Sequence, residues 1–302
     1  MRNVEPMSID ILIIGAGPAG LQAALTVGRL HRKAVVMDSG QYRNATVSHM
    51  HNVAGFDGTP PAEFRAQAIS QLSEYPTVEL RESTVERVER VDEDVFDAHL
   101  SDQSTIRAKA VILATGVRDE LPDVPGLAEA WGHEVAQCPF CHGHEFAGQP
   151  IGLMLGDAAP HLAAMLQPVA SELVVFDNGT ELASETKGAL EALDARVVPG
   201  ALESVARGDG LTISTGGETV QVAGLFVAPR MLQAAPFAEQ LGLELNPSGA
   251  IRIDVFGHTS VPGVYAAGDA AHHPDLPMPM ASVIQSLAHG QTAGATAIKE
   301  RG

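Results

Sequence analysis

The chain has 302 residues, 45% of them hydrophobic and 19% charged, which is a globular composition and excludes a disordered or low-complexity protein. With 37 acidic residues against 19 basic ones the formal net charge is −18, so long-range repulsion opposes nucleic-acid backbones and anionic membranes. The length predicts two domains rather than one core.

No apolar run reaches the roughly 18 residues of a membrane span. The opening, Met1 to Asp10, has no long apolar core before a small-residue cleavage site, so no secretory signal is expected and a cytoplasmic location is.

Ile9 to Ile14 is a short β-branched apolar run, the pattern of a strand buried on both faces. It leads into Gly15-Ala16-Gly17-Pro18-Ala19-Gly20, then a helical pattern through Leu21, Leu25, Val27 and Leu30. A second strand, Ala34 to Met37, ends at Asp38. This is a dinucleotide fingerprint in its required strand–turn–helix–strand setting, with an acid about 20 residues downstream. Gly15 permits the tight turn, Gly17 lets the backbone approach a pyrophosphate, and Gly20 allows close helix–strand packing.

Thr84 to Ile106 reads as strands with polar turns, a β-meander inserted in the α/β unit, and Ala110 to Gly116 as another buried strand. Pro122, Pro125 and Gly126 mark a linker. The only two cysteines follow, in Cys138-Pro-Phe-Cys141-His142. A secreted disulfide scaffold carries more cysteines. The C-x-x-C spacing suits a dithiol that opens and closes during turnover, while His133, His142, His144 and His161 leave a four-ligand zinc site as the alternative.

From Ile151 the architecture starts again: strand Ile151 to Leu155, a turn, a helix, and strand Leu173 to Phe176. Further strands are predicted at Thr212 to Ser214, Val220 to Val222 and Leu225 to Val227. Two copies about 140 residues apart predict duplicated nucleotide-type domains. Val264 to Ala266 delivers Gly268-Asp269, and Ala281 to Lys299 predicts a closing helix.

Together these pieces resemble the low-molecular-weight thioredoxin-reductase-like flavoproteins over nearly the whole chain. The likeness rests on Gly15 to Gly20, Ala114-Thr115-Gly116, Cys138 to Cys141, and Thr259 through Asp269. It implies an α/β fold of two Rossmann-like three-layer domains with β-meander insertions, FAD as cofactor, and a homodimer. It also implies a discontinuous FAD domain (1–118 and 251–302) around a central NAD(P)-like domain (119–250) carrying the cysteines.

Two features pull away from the reductases. The second nucleotide turn, Leu155-Gly156-Asp157-Ala158-Ala159-Pro160, keeps one glycine and places Asp157 where phosphates would sit. The strand after it ends in Asp177-Asn178-Gly179, without arginines for a 2′-phosphate. Cys138 to His142, with Arg43-Asn44-Ala45 and Gly55 to Pro61, resembles the dithiol-oxidase branch that closes disulfides in natural products such as gliotoxin and holomycin. The resemblance therefore implies a small-molecule dithiol as substrate and oxygen as electron acceptor, with peroxide released. A reductase fed by NADPH or by a protein donor such as ferredoxin is the alternative.

By family position Cys141 faces the flavin and Cys138 is the exchange thiol. His142 stands where the reductases carry an acid and is the expected acid/base, with His144, His272 and His273 as further candidates. The resemblance gives the pyrophosphate to Gly15, Gly17, Pro18 and Ala19, and the adenosine ribose to Asp38, with Ser39, Gly40 and Arg43 beside it. Either His51 or Asn52 touches the cofactor. Ala114, Thr115 and Gly116 approach it, and Gly268 and Asp269 bind its ribityl or phosphate portion. Val283 stands where the family's Arg-Gln pair is replaced, so contacts there are expected from backbone. No metal is assigned.

Overall fold

The computed structural model describes residues 8–301, so most of the opening segment read for a leader lies outside the described residues. The chain divides into two compact units. Of the described residues, the first holds 8–45, 62–118 and 231–301; the second holds 46–61 and 119–230. Residues 231–250, assigned by sequence to the central domain, therefore belong to the first unit. Phe237, Ala238 and Leu243 are buried in that unit's hydrophobic core, which fixes them there. Segment 46–61 is the other departure from the expected boundaries.

The first unit is built on a seven-stranded sheet. Its path runs β3 (Val78–Glu82), β2 (Ala34–Asp38), β1 (Ser8–Ile14), β6 (Thr105–Leu113), β5 (Val95–Leu100), β4 (Val85–Asp92). β1 alternates its side chains between two cores, as a strand buried on both faces must. Ile11 and Ile13 pack with Ala23, Ala24 and Val27 of helix α1 (Pro18–Arg29), while Leu12 and Ile14 face Val88, Phe96 and Val111.

The meander and the buried strand that sequence separates are joined in one nine-residue strand, β6. Its first half pairs antiparallel with β5, and its second half pairs parallel with the strand Val264–Ala266. The first half alternates polar Thr105, Arg107 and Lys109 with buried Ile106 and Ala108, and the second half is apolar throughout, so the change of pattern inside one continuous strand reads in sequence as a break between two. The closing helix runs Val283–Arg301 rather than from Ala281, since the Ser282 hydroxyl accepts the Gln285 N–H at 3.2 Å and so ends the loop before it. This helix meets α1 at glycines: a Cβ on Gly290 would lie 2.1 Å from the Ala19 carbonyl oxygen.

The second unit repeats the plan on a five-stranded parallel sheet, ordered Arg196–Val198, Glu172–Phe176, Pro150–Met154, Gly224–Val227, Val135–Ala136. A three-stranded antiparallel meander, Leu202–Gly208, Gly210–Thr215 and Thr219–Val222, accompanies it. Helices Ala159–Leu166 and Ser184–Ala192 belong to the same unit. None of the described helices is long and apolar enough to cross a membrane.

Candidate functional site

In the first unit the fingerprint forms a cradle at the N-terminus of α1. Gly15 takes φ +109°, and a Cβ there would lie 2.3 Å from the Ala114 carbonyl oxygen, so only glycine fits between the two strand ends. Gly17 caps the helix without any side-chain hydrogen bond, Pro18 opens it, and a Cβ on Gly17 would meet nothing within 4 Å. Backbone N–H groups at such an open helix start attract an anion. Gly40 and Gly116 are equally clear of neighbouring atoms. The cradle therefore fits the diphosphate of a dinucleotide such as FAD.

Asp38 ends β2 and is 8% exposed. Its carboxylate accepts the Gly40 N–H at 2.9 Å and the Tyr42 hydroxyl. Burial and that bond raise the Tyr42 pKa, so the hydroxyl stays protonated as a donor. Arg65 stacks over the Tyr42 ring at 3.8 Å. Sequence reasoning missed both residues, because each acts through a neighbour.

Asp269 lies in the turn after strand Val264–Ala266. Arg43 Nη1 donates to it at 2.9 Å and the Ser286 hydroxyl at 3.4 Å. The first unit thus brings Arg43 and Asp269 into direct contact across 226 positions. His289 was also missed: its buried Nδ1 has no partner, and burial lowers its pKa against the pull of Asp269.

The second unit holds Cys138, Cys141, His142, His51 and Asn52. Cys138 caps the short helix Pro139–His142, and a disulfide joins it to Cys141 with the Cα atoms 5.3 Å apart. Phe140 between them is 66% exposed. His142 has a buried Nδ1 without a partner. Burial lowers its pKa, the Gly132 backbone and the Glu145 charge pull it up, and His51 and His133 push it down. The net shift keeps the ring a free base near neutral pH, which a proton acceptor requires.

His51 Nδ1 lies 3.5 Å from Asp57, and its Nε2 lies 3.5 Å from Glu145. His272, by contrast, is fully buried with both nitrogens engaged. Its Nδ1 donates to the His273 carbonyl at 2.9 Å, and its Nε2 lies 2.7 Å from the Ser248 hydroxyl, within hydrogen-bond distance. That arrangement holds a loop. Among the described residues no group of three or more His, Cys, Asp or Glu side chains is disposed to hold a metal ion.

The acids of the second nucleotide-type region are engaged by neighbouring segments. Asp157 accepts the Ala183 N–H at 3.0 Å and the Thr186 hydroxyl at 2.7 Å. Asp177 accepts the N–H groups of Gly179 and Gly200 at 2.9 and 2.8 Å.

The pyridine nucleotide-disulphide oxidoreductase family model matches residues 9–294. Thioredoxin reductase tcpT of Claviceps purpurea (strain 20.1) is 38% identical over 86% of both chains. The crystal structure of an oxidoreductase from Agrobacterium tumefaciens superposes with a TM-score of 0.89 at 34% identity, covering 97% of this chain and 98% of that one. The crystal structure of HlmI does so with a TM-score of 0.88 at 34% identity, covering 97% and 92%. The protein is an FAD-dependent enzyme acting on thiol and disulfide groups. The chain belongs to the pyridine nucleotide-disulphide oxidoreductase family, as a thioredoxin-reductase-like flavoprotein.

Proposed function

We propose that the enzyme is a dithiol oxidase that closes an intramolecular disulfide in a small-molecule dithiol of natural-product type, with oxygen as acceptor and hydrogen peroxide as product. The observation that carries this reading is the acidic second turn. Asp157 stands in the turn itself and Asp177 follows the next strand, two negative charges, each held as a hydrogen-bond acceptor, in the stretch where a nicotinamide dinucleotide's phosphates need backbone N–H groups. Electrons then enter from the thiol substrate rather than from NADPH.

One substrate thiol gives its proton to His142 and attacks the Cys138 sulfur, breaking the Cys138–Cys141 bond and releasing Cys141 as a thiolate. The second substrate thiol loses its proton to solvent, and its sulfur attacks the substrate sulfur of the mixed disulfide. The cyclic product leaves and Cys138 is freed as a thiolate. The substrate has lost two electrons and two protons. The cradle of Gly15 to Ala19, Asp38 to Gly40, Arg43, Ala114 to Gly116, Gly268, Asp269 and Val283 would hold FAD, which when bound would supply the two-electron acceptor that lets the Cys138–Cys141 disulfide re-form and that oxygen can reoxidise. A cytoplasmic homodimer belongs to the same reading, through the family resemblance.

The second reading is a disulfide reductase fed by NADPH or a protein donor such as ferredoxin. It is favoured by the names of relatives such as thioredoxin reductase tcpT. Incubating the flavin-loaded enzyme with reduced dithiols under air, with mass loss of two hydrogens and peroxide release as readouts, tests the oxidase. Rapid stoichiometric bleaching of the flavin by NADPH in a stopped-flow experiment would overturn it in favour of the reductase.

A further inference from the structure

The Cys138–Cys141 disulfide sits in a short, closely bonded turn. Cys138 has extended backbone, Pro139 opens the helix Pro139–His142, and the Cys141 N–H donates to the Cys138 carbonyl at 3.2 Å. The Gly143 N–H donates to the Pro139 carbonyl at 2.8 Å. Gly143 is buried, and a Cβ there would lie 2.5 Å from that carbonyl oxygen and 3.1 Å from the Leu166 side chain. Leu166 belongs to a core of the second unit, so the end of the turn is seated on that core. Phe140 has no such cover. It is 66% exposed, while Cys138 and Cys141 on either side are half-buried. Among the described residues no phenylalanine, tyrosine or tryptophan is more exposed. Its side chain joins neither hydrophobic core of the unit, so folding does not explain a large apolar residue at this position.

A single exposed apolar side chain is ordinary on a protein surface. Phe140 is set apart by its place between the two sulfurs. Successive Cα atoms are about 3.8 Å apart, and the two cysteine Cα atoms lie 5.3 Å apart, so a molecule whose sulfur meets Cys138 comes within reach of the ring. We infer that Phe140 is a specificity-determining residue whose exposed ring takes the carbon frame of the dithiol, selecting neutral dithiols built on an apolar or aromatic ring. The inference deepens the oxidase reading and rests on its exchange pair, Cys138 and Cys141. Covering an exposed ring with apolar surface is favourable, and a second ring adds edge and face attraction. The field of a chain with net charge −18 opposes an acidic dithiol, and Glu145 stands exposed just beyond the cysteine helix. A polar frame gains nothing from the ring.

The test compares wild type, Phe140→Ser and Phe140→Tyr as flavin-loaded enzymes, with Val197→Ser as control. Val197 is exposed on the strand Arg196–Val198, at the opposite edge of the five-stranded sheet from the strand Val135–Ala136 that leads to Cys138. The probes are ortho-benzenedimethanethiol and dithiothreitol, which close cyclic disulfides of the same ring size and differ in the polarity of the frame. Each gives two electrons and two protons to the Cys138–Cys141 disulfide in the absence of oxygen. The freed protein thiols are alkylated after an acid quench and counted by mass, with flavin bleaching followed in parallel. Wild type should reach half of its limiting rate at about a tenfold lower concentration of the aromatic dithiol than of dithiothreitol. That preference should disappear in Phe140→Ser, return in Phe140→Tyr, which keeps the ring, and persist in Val197→Ser. A residue that merely shapes the turn would slow both dithiols alike and leave their ratio unchanged. An unchanged ratio in Phe140→Ser, no preference in wild type, or faster exchange with reduced thioredoxin than with the aromatic dithiol would overturn the inference. Phe140→Gln carries the test if Phe140→Ser does not fold. Failure of both dithiols to open the disulfide would remove the cysteine pair from exchange, and the inference with it. Oxygen enters nowhere in this measurement, so the oxidase reading fails separately, if the wild type releases no peroxide under air.

Discussion

The Asp157 carboxylate accepts the hydroxyl of Thr186 at 2.7 Å, and so ties the second nucleotide-type turn to the start of helix Ser184–Ala192. Ala183 at that helix start has no side-chain cap of its own, and Asp157 takes its N–H. Thr186 is buried, so losing the acceptor leaves a hydroxyl unpaired. Asp157→Ala should lower the melting temperature, and Thr186→Val should add little on top of it, because the two act as one unit. The Thr186 bond and the Ala183 N–H hold the Asp157 pKa below the ordinary carboxylate range. Its stabilisation is therefore present above that range and lost as pH falls through the depressed value. Melting curves of both single variants and the double variant at neutral and acid pH check this; fully additive losses would contradict it.

Asp269→Ala should release FAD. The carboxylate is engaged by Arg43 and Ser286 in the same unit as the fingerprint, and Gly268 before it packs against Ala19 of α1. Removing it leaves the Arg43 guanidinium without this partner and frees the turn. The absorbance ratio of flavin to protein after exhaustive dialysis measures the effect. Full occupancy would place the cofactor's hold elsewhere.

Cys138→Ser should keep FAD bound while dithiol turnover disappears. Exchange needs that sulfur, whereas the cradle lies in the first unit and contains no cysteine. Peroxide release and flavin content are read on the same sample, and near-normal turnover would exclude Cys138 as the exchange thiol.

These sites differ in how far they were legible in sequence. The fingerprint and C-x-x-C are local patterns, since spacing alone brings Gly15, Gly17 and Gly20 to one turn and closes Cys138 onto Cys141. The strand ends at Asp38 and Asp269 are local in the same sense. The partners of those residues are not. Nothing near Asp157 announces Thr186, 29 positions away, and nothing near His142 announces His51. Nothing in the pattern around Tyr42 ties it to Asp38, which accepts its hydroxyl. The boundary at 250 failed for a related reason: residues 231–250 lack a strong period, and their place is settled by burial of Phe237 and Leu243 rather than by pattern.

A pH-dependent contribution to stability is expected at His258. Its Nδ1 lies 2.8 Å from Asp254 and its Nε2 lies 2.9 Å from Glu300, whose other oxygen accepts the buried Tyr265 hydroxyl at 2.7 Å. Burial disfavours the charged ring, but the two carboxylates outweigh it and raise the His258 pKa. The stabilisation is thus fully present below the ordinary histidine pKa of about 6.5 and is lost as pH rises through the raised folded value. His258→Gln should therefore cost more in melting temperature at pH about 6 than at pH about 9. An equal loss at both would show that the ring contributes only packing.

His142→Ala tests the residue at which this chain departs from the reductases it resembles. If the ring accepts the substrate proton, its loss should slow reduction of the flavin by dithiol about 100- to 10,000-fold, the usual contribution of a general base. The deficit should shrink as pH rises, because thiols with pKa about 8.5 then ionise without help. Burial keeps the wild-type ring unprotonated at neutral pH, so the difference between the two proteins should be widest there and narrow toward alkaline pH. Reoxidation by oxygen should change much less, since that half-reaction needs no substrate thiolate. Stopped-flow traces of each half-reaction across pH about 6 to 9 separate the outcomes. An unchanged reductive rate would remove His142 from the exchange and pass the role to His144, because His272 has both ring nitrogens engaged. Equal losses in both half-reactions would mean that the ring supports the site's shape, through the Gly132 turn on which Thr46 rests, rather than its proton chemistry.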